Sequence, residues 1–181
     1  EPGAFRYGGM LDTAGLERLV IMSIPWRGIE RNLRSGALHA ISVSSTHVGT
    51  GHTVVFISSR DPVPTSWSKD PFVRHRSTYI GPRHALASAA IPIFFPPVQV
   101  GEGFYGDGCV RMVYPMSPAI HLGAERILAI SVRHPRSTPG SSATAAGGPL
   151  PLSQIAGVLL NAVFLDSLDT EERRVLRAAS I

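Results

Sequence analysis

The sequence feature that most constrains this chain is an acidic residue between two glycines, Gly106-Asp107-Gly108, at the end of a short apolar strand. Glycine on each side permits a backbone with positive φ and removes side-chain bulk, so that another group can approach the carboxylate closely. An Asp-Gly pair is also a common composition for a tight turn. The pair alone therefore leaves a functional site and a simple turn both open, and the surrounding residues must decide between them.

Composition restricts the classes of protein to which the chain can belong. Its 181 residues, 44% of them hydrophobic, are enough for one domain with a sizeable core. A run of about 18 apolar residues and an N-terminal signal peptide are both absent. The single cysteine, Cys109, excludes an internal disulfide and a cysteine-based zinc cage. We therefore expect a cytoplasmic protein, with contact to a membrane surface left open.

Charge gives a weaker indication of the partners. The net charge is +4, but the 17 basic residues are scattered and form no cluster with interleaved aromatic residues. Proteins that bind nucleic acid by charge concentrate their basic side chains on one face. We therefore expect no nucleic-acid partner.

Hydrophobic periodicity and turn residues predict helices alternating with strands, which is typical of the α/β class. Helices are predicted at 16–22, 26–33, 83–90, 118–122, 152–165 and 169–179, a β-hairpin at 38–44 and 52–57, a short strand pair within 94–105, and loops at 58–79 and 135–151. The nearly continuous apolar run at 126–132 predicts a strand buried on both faces of a parallel sheet. The loop at 135–151 contains no core-forming residues and is predicted to be flexible.

Four segments resemble, in order and spacing, the C-terminal half of a patatin-like phospholipase domain. They are Ala85 to Val98, the Asp-Gly turn, Pro115 to Ile120 and Leu122 to Ile130. Weaker matches, which include the hairpin and the final helix, extend the resemblance from about Gly9 to the C-terminus. It implies that residues 1–181 are the C-terminal portion of one three-layer α/β/α domain with a mostly parallel central sheet.

The same resemblance implies a catalytic role for Asp107. The family's D-G-[GA] motif falls on Asp107-Gly108-Cys109, with Cys109 in place of the small third residue, and His47 replaces the aspartate usual in the family's hairpin. Asp107 is then the base of a Ser–Asp dyad that hydrolyses acyl esters of lipids, and Gly106, Gly108 and Cys109 shape its site. The resemblance implies neither a cofactor nor a metal.

The chemistry of such a dyad sets requirements on the surroundings of the carboxylate. A serine hydroxyl is a poor nucleophile unless a positioned base takes its proton. A carboxylate is an effective base when partial desolvation raises its pKa towards the working pH. We expect the aromatic and proline residues at 94–97 and 104–105 to supply that desolvation, and the two flanking glycines to give the serine access.

The nucleophile that should accompany Asp107 is not found in the 181 residues. No serine has the Gly-x-Ser-x-Gly pattern of a nucleophile elbow, and the glycine-rich oxyanion loop is also missing. We expect both to lie upstream of Glu1. The chain alone would then be inactive and would associate with its missing N-terminal half or with a second copy. The alternative is a truncated or degenerate, non-catalytic module of the same fold that binds lipid or a protein partner.

The remaining chemistry-bearing residues give less specific predictions. The seven histidines show neither an HExxH pattern nor a helical i,i+4 pair, so we interpret them as surface or hydrogen-bonded groups. Cys109 is interpreted as a small buried core thiol. Trp67, Phe72 and the apolar segment 93–97 are open to two interpretations, as a lid or lipid contact or as cover for the core.

Overall fold

The computed structural model describes residues 9–64, 68–112 and 115–130. Its elements in chain order are α1 (Ala14–Ser23), α2 (Trp26–Ser35), β1 (Ala40–His47), β2 (Thr53–Ser59), β3 (Val73–Ser77), α3 (Pro82–Ser88), β4 (Val98–Val100), β5 (Gly103–Asp107), a 3₁₀ turn (Gly108–Val110) and α4 (Ser117–His121). The mixed α/β class predicted from the sequence is confirmed. The predicted segments 135–151, 152–165 and 169–179 lie outside the described residues.

The five strands form one sheet in the order β3-β2-β1-β5-β4. Strand β1 pairs antiparallel with both β2 and β5, β4 pairs antiparallel with β5, and only β2 and β3 are parallel. Short turns join β1 to β2 and β4 to β5, and a short turn can connect only antiparallel neighbours. The described residues therefore form a mostly antiparallel sheet, unlike the mostly parallel sheet that the resemblance implied.

The predicted hairpin and N-terminal helices are confirmed. The turn of the hairpin is closed by Gly51, whose φ is 68° and whose N–H donates to the carbonyl oxygen of His47. Helix α2 ends at Gly36 with φ of 77°, and the Gly36 N–H donates to the Leu33 carbonyl oxygen. Glycine adopts this left-handed conformation without the steric cost that a side chain imposes, so both ends are encoded locally.

The core lies mainly on one face of the sheet, where α3 packs. Phe56 and Tyr105 project from β2 and β5 on this face, and Leu86 and Ala87 meet them from α3. The small residues of α3 allow close approach to the strands, and its first turn is closed by the Gly81 N–H, which donates to the His84 Nδ1. A smaller cluster around Val55 and Ile57 occupies the other face.

Two predictions about strands are wrong. Strand β3 lies within the segment predicted as a loop. Its sequence, Val-Arg-His-Arg-Ser, carries little hydrophobic signal, since it is an edge strand stabilised by backbone pairing with β2. Conversely, residues 126–130 form no strand, and Leu128 and Ile130 are 86% and 89% exposed. An apolar run becomes a strand only beside a partner, and none of the described strands pairs with this segment.

Candidate functional site

Asp107 is the last residue of β5 and is held by three neighbouring segments. Its N–H donates to the Ala90 carbonyl oxygen at 2.9 Å, and its own carbonyl oxygen accepts from the Thr46 Oγ1 at 2.9 Å. Its Oδ1 accepts from the Cys109 N–H at 2.8 Å, which caps the 3₁₀ turn. Backbone and side chain of Asp107 are therefore both fixed by hydrogen bonds.

Asp107 is a buried residue. The residue is only 8% exposed. Burial raises the pKa of Asp107 above its ordinary value, and hydrogen bonds from the Cys109 N–H and thiol oppose part of that rise. This is the direction that a general base requires, as the sequence argument predicted.

The aromatic residues proposed to exclude water are divided between the two faces of β5. Tyr105 is 2% exposed and lies on the same face as Asp107, two residues earlier in the strand. Phe104 points to the opposite face and is 50% exposed, so the prediction that it desolvates the carboxylate is wrong. Phe94 and Phe95 are partly buried, and Phe95 packs against the main core.

The glycines beside Asp107 serve close packing of the backbone. A Cβ at Gly108 would lie 2.5 Å from the carbonyl oxygen of Ser44 on β1, and one at Gly106 would lie 3.3 Å from the Ala90 carbonyl oxygen. Neither glycine has positive φ. The space beside both glycines is thus taken by the backbone of the chain itself, and the expected positive φ is wrong. Access of a serine to the carboxylate stays a prediction.

Cys109 is exposed, so the prediction of a buried core thiol is wrong. It lies after the strand, in the 3₁₀ turn. Partial desolvation of the sulfur, the negative charge of Asp107 and a hydrogen bond to that carboxylate raise the pKa of the thiol to about 11. A thiol with such a pKa is poorly suited to act as a nucleophile at neutral pH.

Ser45 is a neighbour of Asp107 that sequence reasoning missed. It lies directly opposite Asp107 in the β1–β5 pairing and is completely buried. Among the described residues its Oγ has no hydrogen-bond partner. The polar run Ser44-Ser45-Thr46 is typical of an exposed strand end, and the packing of α3 and the 3₁₀ turn against β1 cannot be read from it.

The histidines have local structural roles in the described part of the chain. His47 stacks edge-on against Tyr105 with ring centroids 5.1 Å apart, and its Nδ1 lies 3.0 Å from the Thr50 Oγ1. Burial lowers the pKa of His84. Within the described ranges, no three His, Cys, Asp or Glu side chains lie close enough together to hold a metal ion.

An open cleft lies on the other side of the sheet from Asp107. It has a volume of about 490 Å³ and is lined by Ala40 and Ser42 of β1 together with Ala119, Leu122 and Gly123 of the α4 region. Alternation along β1 places Ser42 on the face opposite Ser45. The cleft is therefore separated from the carboxylate by the sheet.

The comparisons with known proteins do not extend the assignment. No family model matches the sequence, and no characterised protein matches it at a significant level. No helix in the described ranges is both long and apolar enough to span a bilayer. The resemblance to a patatin-like domain therefore stays a prediction that depends on the motifs around Asp107.

Proposed function

We propose that this chain is the C-terminal part of a patatin-like serine acyl hydrolase in which Asp107 is the general base. The observation that supports this most directly is the burial of Asp107 at the end of β5, which raises the pKa of its carboxyl. Its carboxylate is fixed by the Cys109 N–H and needs no rearrangement to accept a proton.

In the proposed reaction, the Asp107 carboxylate takes the proton of a serine hydroxyl as the serine oxygen bonds to the acyl carbon of a lipid ester. The leaving alcohol recovers that proton, and water then hydrolyses the acyl-serine with Asp107 again acting as base. The nucleophile and the oxyanion donors come from a segment upstream of Glu1, since the 181 residues contain no Gly-x-Ser-x-Gly pattern.

The three-layer α/β/α fold with a mostly parallel sheet is part of the same proposal. The described sheet is then one part of a three-layer α/β/α domain, and the parallel strands of that domain lie in the segment that carries the nucleophile. The exposed apolar side chains of Leu128 and Ile130 support this, because such residues are normally buried when a strand pairs beside them.

A lipid substrate also requires contact with a lipid surface. Ile93 is 68% exposed and has φ of 75°, a conformation that is strained for a β-branched residue. Met10 is 75% exposed beside it, and its N–H donates to the Ile93 carbonyl oxygen at 2.9 Å. We propose these two side chains as the peripheral membrane contact. Of the other residues considered for lipid contact, Phe72 packs against the Arg111 guanidinium, whose Cζ lies 4.7 Å from the ring centroid. Trp67 lies outside the described residues.

The catalytic role is tested by Asp107→Asn in the intact protein, with hydrolysis of a short-chain p-nitrophenyl ester as the assay. An amide cannot take the serine proton, so we expect a loss of about 10²–10⁴-fold in turnover. Asp70→Asn is a matched control, because the Asp70 Oδ1 accepts from the N–H two residues later, as in Asp107, but Asp70 is exposed. Turnover at the wild-type rate in Asp107→Asn would remove Asp107 from the mechanism.

The second candidate function is a non-catalytic module of the same fold that binds lipid or a protein partner. The lack of a nucleophile motif within the 181 residues favours it. An intact protein that sediments with lipid vesicles but hydrolyses no ester, with Asp107→Asn indistinguishable from wild type, would support the module over the enzyme.

A further inference from the structure

The buried hydroxyl of Ser45 is the polar group that the fold leaves unexplained. Ser45 is 0% exposed, and its Oγ has no partner among the described residues. Most buried hydroxyls in proteins are hydrogen-bonded, since burial of an unpaired donor is costly. A buried hydroxyl of this kind points to a partner that is reached in another state of the site.

The register of the sheet identifies that partner. Ser45 and Asp107 are directly opposed on antiparallel strands, so their side chains project from the same face with Cβ atoms about 4.5–5.5 Å apart. A serine hydroxyl can change direction by one rotation about the Cα–Cβ bond. The Asp107 Oδ1 accepts from the Cys109 N–H, and a carboxylate has room for further donors.

We propose that Ser45 is a positioning residue whose hydroxyl donates a hydrogen bond to the Asp107 carboxylate when that group is ionised. When Asp107 holds a proton, the attraction weakens and the hydroxyl returns to the unpaired orientation. The hydrogen bond would hold the carboxylate in place between proton transfers. A role of this hydrogen bond in catalysis rests on the proposed function of Asp107 as general base, whereas the existence of the hydrogen bond does not.

The other titratable and charged groups on the elements around Asp107 are engaged elsewhere. On β1, the His47 Nδ1 lies 3.0 Å from the Thr50 Oγ1, and on β5 the Tyr105 hydroxyl accepts from Arg76. On α3, the His84 Nδ1 accepts from the Gly81 N–H and Arg83 donates to the Gln99 carbonyl oxygen. After the 3₁₀ turn, Arg111 lies over the Phe72 ring. The Cys109 thiol is the titratable group that interacts with the carboxylate directly.

The test is a direct titration of Asp107 in the intact protein, labelled with ¹³C at the aspartate carboxyls and followed by NMR. Ser45→Ala removes a donor to the charged form, so the pKa of Asp107 should rise by about 1–2 pH units. Ser42→Ala is the matched control, because it removes a hydroxyl from the opposite face of the same strand. It should leave the titration unchanged.

Thermal unfolding gives a second measurement, because the change in melting temperature of Ser45→Ala differs in sign between a paired and an unpaired Ser45 hydroxyl. If Ser45 pairs with the ionised carboxylate, the melting temperature lost in Ser45→Ala grows as pH rises through the pKa of Asp107. If the hydroxyl is simply unpaired, Ser45→Ala is at least as stable as wild type at every pH, and the pKa of Asp107 does not move. That pair of results would overturn the proposal.

A second variant protects the test if Ser45→Ala does not fold. Ser45→Cys nearly preserves the shape but donates more weakly, so it should raise the pKa of Asp107 by a smaller amount. Because the titration does not depend on ester turnover, its outcome is separate from that of Asp107→Asn. If the pKa of Asp107 rises in Ser45→Ala but Asp107→Asn keeps wild-type turnover, the hydrogen bond is supported and the catalytic role of Asp107 is rejected. If the pKa does not change but Asp107→Asn loses turnover, the catalytic role is supported and the hydrogen bond is rejected.

Discussion

Gly108→Ala tests the close backbone approach that holds Asp107 against β1. The new Cβ would lie 2.5 Å from the carbonyl oxygen of Ser44 and 2.9 Å from its carbonyl carbon. Both atoms belong to the backbone of a paired strand and cannot rotate away, as a flexible side chain would. Either β1 or the 3₁₀ turn must therefore move, and the hydrogen bond from Thr46 to Asp107 would be strained with it.

The size of the effect follows from the nature of these contacts. Forcing extra volume into a packed site costs about 1–3 kcal/mol, and we expect about 2–3 kcal/mol here because the obstacle is backbone. For a domain of 150–250 residues, each kcal/mol lowers the melting temperature by about 2–4 °C. Gly108→Ala should therefore melt about 4–12 °C below wild type.

Gly15→Ala is the matched control because it is the same chemical change with the opposite expected sign. Gly15 is the second residue of α1, and a Cβ there would meet no atom within 4 Å. Alanine is favoured over glycine by about 1 kcal/mol in a helix interior and by less in the first turn, so this variant should gain a fraction of that stability. Urea unfolding followed by far-UV circular dichroism measures both variants under one set of conditions.

The result that refutes the reasoning is a Gly108→Ala protein as stable as wild type while Gly15→Ala shows its gain. The spacing between the 3₁₀ turn and β1 would then be wider than described, and Gly108 would have no structural requirement. A loss of stability in both variants would instead show that α1 is not a helix with open space at Gly15.

Asp107→Asn should stabilise the protein at pH 7, because burial raises the pKa of the Asp107 carboxyl in the folded state. The contribution of this carboxyl to folding stability is fully present below its ordinary pKa of 3.8 and is lost as pH rises through the folded pKa. A stability difference from wild type that does not depend on pH between 3 and 8 would contradict this. Cys109 should react slowly with iodoacetamide at pH 7.5 despite its exposure, because a thiol with a pKa of about 11 has a thiolate fraction about 10²-fold below that of an ordinary thiol. Mass spectrometry should show faster labelling in Asp107→Asn, and rapid labelling of the wild type would be the contrary result. The 181-residue chain should self-associate through exposed side chains such as Leu128 and Ile130, and hydrolyse no p-nitrophenyl butyrate. Light scattering should show less association in the double variant Leu128→Lys/Ile130→Lys, and a wild-type monomer that hydrolyses the ester would refute both statements.

The local elements of this protein could be predicted from its sequence because their signals lie within a few residues of each element. The end of α2 at Gly36 and the hairpin turn at Gly51 depend on glycine at a left-handed position. The short strand pair that ends at Asp107 depends on apolar alternation and a glycine-rich turn. The direction of the pKa shift of Asp107 agrees with the prediction, although Phe104, which was expected to contribute to it, is exposed on the other face of β5.

Contacts between distant segments decided the rest. The burial of Ser45 and its position opposite Asp107 depend on β1 pairing with a strand some 60 residues later, and no local pattern encodes that register. The requirement for Gly108 depends on the carbonyl of Ser44 rather than on its own φ, and β3 forms because β2 presents an edge to a polar segment. Residues 126–130 carry the pattern of a buried strand and yet are exposed. An apolar sequence forms a strand only where the fold places another strand beside it to pair with.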